Sequence, residues 1–160
     1  MKRTFAGLAF FMMTTTAFAA PVDVNINVCS TGQDSQISQE PMVLHRALNG
    51  VVSTEDASSS LHGASFSCKS YIKGDSVNPD NHHFVCLLIE KDNDIIVFGD
   101  GTRGEPAAMT VLSGTGKWDN ATGSALQMGD VTTMNVNQLS DTRNSFQGCV
   151  NYSGQLETAD

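Results

Sequence analysis

The chain has 160 residues, with 9 Lys and Arg against 17 Asp and Glu and a formal net charge of −8. That balance works against nucleic acid and anionic lipid as partners, because both are bound chiefly through Lys and Arg. Beyond the N-terminal segment no apolar run approaches the roughly 20 residues needed to span a bilayer as a helix.

In chain order the first element is an export signal. Lys2 and Arg3 form a basic start, Phe5 to Phe18 carries no charge, and Ala17-Phe18-Ala19 supplies the small residues a signal peptidase requires. A cut after Ala20 would leave Pro21 at the new terminus, so cleavage is placed after Ala19. Residues 1–19 are then the signal peptide. Residues 20–160 remain as one exported domain of 141 residues, with 7 bases against 17 acids and a net charge of −10. The reading leaves periplasm and extracellular space open.

The dominant period along that domain is two. In Val22-Asp23-Val24-Asn25-Ile26-Asn27-Val28 the apolar residues fall on alternate positions, the pattern of a strand with one wet and one dry face. Further strands are expected over Ala64–Lys73, Phe84–Glu90, Asp94–Phe98, Ala107–Leu112, Ser124–Met128, Val131–Leu139 and Ser145–Tyr152. Asn49-Gly50, after Met42 to Leu48, fits a hairpin turn or a helix C-cap, and the hairpin is preferred. Ser30–Pro41, Ser53–Gly63 and Gly74–Asn81 are polar and read as loops, the first two mobile. About eight strands in one all-β domain predict a small antiparallel β-barrel.

The segment from Cys68 to Ala125 holds two Cys-bearing strands, an acidic turn at Lys91-Asp92-Asn93-Asp94, and Gly114-Thr115-Gly116-Lys117-Trp118-Asp119-Asn120-Ala121-Thr122-Gly123. It resembles small exported bacterial β-barrel proteins with a Gly-Thr-Gly-Lys-aromatic-x-x-small-Thr-Gly signature. It is also similar to the allene oxide cyclase and dirigent barrel group. The likeness implies a barrel fold and carries no assigned reaction. Physically, Gly114, Gly116 and Gly123 permit a sharp strand corner. Trp118, the only Trp, would cover one barrel end with its N–H on an acceptor, and Lys117 would point the other way, toward water. A P-loop is excluded, because Val111 and Trp118 stand where Gly and Ser or Thr are required.

Four cysteines in an exported chain read as two disulfides. Cys29 shares the parity of Asp23, Asn25 and Asn27, and Cys149 that of Ser145, Gln147 and Asn151, so both lie on wet faces. Cys68 shares the parity of Phe66 and Ile72, and Cys86 that of Phe84 and Leu88, so both face the interior. Wet pairs with wet and dry with dry, giving Cys29–Cys149 and Cys68–Cys86. The first bridge requires the first and last strands to be neighbours, as barrel closure makes them.

The candidate ligand-binding residues are Trp118, Lys117, Arg103 and Glu90. His45, Asp100 and Glu105 add further acid–base groups, yet no spacing brings these residues together. Asp92-Asn93-Asp94 starts like a calcium loop, but Ile96 and Val97 replace a ligand and the turn Gly, so a hairpin turn is the better reading. Adjacent His82 and His83 face opposite ways in a strand and do not suit one ion. With the thiols committed and no nucleophile elbow, no catalytic residue, metal site or cofactor is assigned. Three functions fit: a non-catalytic binder of a small apolar or mixed ligand, favoured, with a cavity near Trp118; a protein-interaction module with a filled barrel and a surface patch; and, last, a cyclase-like isomerase.

Overall fold

The computed structural model describes residues 21–40, 42–73, 81–99 and 108–159. The expected signal peptide and residues Asp100, Arg103 and Glu105 lie outside them, as does most of the loop expected at Gly74–Asn81. Eight strands follow one another: β1 (Val22–Gln39), β2 (Met42–Ser53), β3 (Ser65–Lys73), β4 (Asn81–Ile89), β5 (Ile95–Gly99), β6 (Ala108–Gly114), β7 (Ala125–Ser140) and β8 (Arg143–Leu156). Each is antiparallel to its sequence neighbour, and β8 returns to pair with β1, closing the barrel. The expected all-β antiparallel barrel is the fold observed.

Alternation decides which side chains enter. Val24, Ile26 and Val28 of β1 point inward, as do Phe66, Leu88, Ile96, Phe98, Val111, Leu126 and Leu156 from other strands, and all are 0–4% exposed. Burying each such side chain stabilises the fold by about 1.5–3 kcal/mol. This core fills the end of the barrel at which β1 begins and β8 ends. The β2–β3, β4–β5 and β6–β7 connections fold over the same end, bringing Leu61, Ala64, Trp118 and Ala121 into the core.

Both disulfides are the expected pairs. Cys29 and Cys149 are directly opposed on β1 and β8, and Cys68 and Cys86 on β3 and β4. Cys29 is exposed and Cys86 buried, in keeping with the wet–wet and dry–dry assignment. The two bridges indicate an oxidising, exported location. Among the described residues no helix is long and apolar enough to cross a membrane.

Four local expectations are corrected. Ser30–Gln39 is no loop but the second half of β1, paired with β2 on one side and, through Ser35, with β8 on the other. Asn49-Gly50 is no turn: β2 runs through it, with Asn49 between Thr31 and Ser67, because both neighbours offer backbone partners over the whole stretch. Ser124–Met128 and Val131–Leu139 are one strand, and Gly129-Asp130 falls within register shifts between Met128 and Thr133. Ser53–Gly63 is tied down: β2 keeps Ser53, Leu61 is 5% exposed, and Gly63 N–H donates to the Val52 carbonyl at 2.8 Å.

Candidate functional site

Three of the four sequence-derived site residues meet at the packed end. Glu90 leaves β4 into a tight turn in which its N–H donates to the Asp94 carbonyl at 2.9 Å and Asn93 takes a φ of 67°. This is the hairpin turn expected of Asp92-Asn93-Asp94. Beyond β6 the chain enters a one-turn 3-10 helix, Gly116–Trp118. Gly116 has a φ of 58° and lies against the Asp94 carboxylate, where a Cβ would overlap it. Asp94 also accepts from the Lys117 N–H at 3.3 Å, while the Ile95 N–H donates to Thr115 Oγ1 at 2.9 Å.

These bonds aim Lys117 and Trp118 together. Lys117 Nζ lies 2.7 Å from Glu90 Oε2, donates to Ser60 Oγ, and sits 5.1 Å from the Trp118 ring centroid. Ser60 in turn donates to Glu90 Oε1 at 3.0 Å. The Glu90 side chain is fully buried and that of Lys117 is 35% exposed. Oε2 meets the ammonium as an ion pair and accepts no directed hydrogen bond among the described residues, and neither does Trp118 Nε1 find an acceptor. Two expectations are therefore corrected: Lys117 turns inward because a buried carboxylate needs a cation, and the Trp118 N–H meets no acceptor among the described residues.

Chemically this cluster is a latch. The three groups pin the β2–β3 connection to the barrel end. No water-sized void adjoins the core here: Ile96, Phe98, Ala121, Leu126 and Leu156 are each 0% exposed, and Trp118 is 2%. Among the described residues no cavity adjoins Trp118 in this packed core.

The other half of the barrel differs. Among the described residues β7 pairs with β6 through Ala125–Gln127, and β4 with β5 from Val85 onward. Beyond those points the described strands β4, β3, β2, β1, β8 and β7 form a curved sheet, and inward side chains of β7 on its inner face remain in contact with water. Asp34 of β1 and Arg46 of β2 are opposed on that face, with Nε–Oδ1 at 2.7 Å and Nη2–Oδ2 at 2.8 Å. The guanidinium lies 4.9 Å from the Phe146 ring centroid, and the ring lies over Gly32, which leaves it no Cβ to strike. Opposite Arg46 on β3 is Ser70, 4% exposed. Val136 is in register with Phe146, and Val131 with Val150, so both face inward, yet they are 57% and 49% exposed.

Sequence reasoning missed Asp34 and Arg46, because one lay in an expected loop and the other in the stretch assigned to a hairpin. The signal was present: Met42, Leu44 and Leu48 alternate with Arg46 on the same parity. His45 faces outward and packs on Tyr71 with ring centroids 5.0 Å apart. The best-defined depression among the described residues, about 260 Å³, is shallow and lies beside the Cys29–Cys149 bridge, lined by Ser30, Thr31, Asn135, Gln147 and Gly148. No group of three or more His, Cys, Asp or Glu able to hold a metal ion occurs among the described residues. No family model, curated protein or solved structure matches the chain.

Proposed function

We propose that the protein is a non-catalytic binder of a small ligand of mixed apolar and polar character, taken up on the inner face of the sheet formed by β2, β1, β8 and β7, at the end of the barrel away from Trp118. One observation carries this reading. Inward positions along β7 pass from Leu126 at 0% exposed to Met128 at 40%, Val131 at 49% and Val136 at 57%. Apolar side chains on a concave face left open to water are the usual lining of a small-molecule site. The Asp34–Arg46 pair supplies the polar group that orients a ligand. Because the pair is internally neutral, it favours an uncharged or zwitterionic head group over a free anion.

The test is titration with the neutral solvatochromic dye Nile red. Wild-type protein is expected to bind one equivalent, Val136→Glu to weaken binding at least tenfold, and Leu87→Asp on the outer face to leave it unchanged. Unchanged binding in Val136→Glu would refute the site.

A further inference from the structure

A second feature lies on the outside of the barrel, away from the inner face of β1, β2, β7 and β8. On β4 the outward positions are Val85, Leu87 and Ile89, at 51%, 37% and 36% exposed. Leu87 is in register with Val97 of β5, and Ile89 with Ile95, so those two side chains extend the same face. Leu112 of β6, 44% exposed, leans over Gly99, in register with Val85. Six apolar side chains on three adjacent strands thus form one contiguous outer surface, where an antiparallel sheet with a wet side should alternate to polar residues.

The charges around this surface identify what covers it. In a chain with 17 acidic residues, none of the outward positions Ser65, Ser67, Lys69, Val85, Leu87, Ile89, Ile95 and Val97 is acidic. Lys69, in register with Val85, marks one end, and Asp92, exposed in the β4–β5 turn, marks the other. Opposite charges at the two ends of one apolar surface are self-complementary under a two-fold rotation. From Val85 to Ile89 the face is about 13 Å long. An axis crossing the strands between the Leu87 and Ile89 rows sets Leu87 of one copy over Ile89 of the other, and it carries Lys69 toward Asp92 of the second copy. The slight tilt this needs matches the roughly 30° at which two twisted sheets pack face to face.

We infer that the outer face of β4, β5 and β6 docks a second copy of this chain, forming a two-fold dimer that leaves the inner face of β1, β2, β7 and β8 of each copy free. The face is smaller than the 20–30 residues a side of a standard interface, so the dimer is a weak, transient one. This inference does not depend on the ligand reading.

Sedimentation equilibrium of the mature protein over a wide concentration range tests it. The wild type is expected to pass from monomer to dimer mass, and Leu87→Asp to remain monomeric throughout. Lys69→Glu and Asp92→Lys each remove two rim pairs and are expected to weaken the dimer about fivefold, while the double exchange restores it. These charge variants alter only exposed side chains, so they keep the test valid if Leu87→Asp folds poorly. A wild type that is monomeric at every concentration, a Leu87→Asp protein that still dimerises, or a double exchange no better than either single one would overturn the proposal.

Discussion

Glu90 is the residue on which the packed end turns. A carboxylate with no exposed side-chain area is tolerable only beside its cation, so removing Lys117 strands a buried charge. Lys117→Met is expected to destabilise by about 3 kcal/mol, at the low end of that range because Lys117 is itself a third exposed. Adding Glu90→Gln to it should recover part of the loss, and urea unfolding of the three variants measures both. Trp118, the single Trp and 2% exposed, should emit well to the blue of free tryptophan and shift red on unfolding. An emission already at the free value would place the ring in water. Tyr152 titrates above its ordinary value of 10 because burial disfavours the phenolate. The folded state therefore holds the proton more tightly, and its contribution is full below about pH 10 and lost as pH rises through the elevated folded value. Tyr152→Phe should flatten the decline in stability above pH 10, as denaturant midpoints across that range would show.

At the scale of elements, much of the barrel was legible because inward apolar positions kept a period of two. Val24, Ile26 and Val28 announced the first half of β1; the second half was hidden because its inward positions are Ser30, Gly32 and Asp34. The same polar interior concealed the partnership of Asp34 with Arg46. The disulfide pairing was legible for a related reason: parity counting survives only where no bulge intervenes. The irregularity of β1 lies between Gln36 and Ser38, beyond Cys29, and those of the β7–β8 pairing do not invert the face of Cys149. Conversely, Gly129-Asp130 imitated a turn because a bulge uses the same residue types. The convergence of Lys117, Trp118 and Glu90 was not legible, since the bond from the Lys117 N–H to the Asp94 carboxylate that aims them joins residues 23 apart in sequence. The two bridges close loops of different length, with separations of 120 and 18. In the chain-entropy model, removing Cys29–Cys149 should cost about 5 kcal/mol and removing Cys68–Cys86 about 3 kcal/mol. Denaturant unfolding of Cys29→Ser/Cys149→Ser and Cys68→Ala/Cys86→Ala decides whether that order holds.

Across the whole molecule, the two halves of one barrel differ in how tightly they are packed. The connections at one end, the Lys117–Glu90–Ser60 latch and the apolar core make a rigid plug. The other half carries long strands, an internal ion pair and inward apolar side chains still in contact with water. We propose that this half, and not the surroundings of Trp118 or the outer face, receives the ligand. The most direct measurement is chemical-shift perturbation by NMR as Nile red is added to isotope-labelled protein. The largest shifts are expected at Leu44, Val131, Val136 and Phe146, with the Trp118 indole resonance unmoved. Shifts centred on Trp118, or on Val85, Leu87 and Leu112, would contradict the claim.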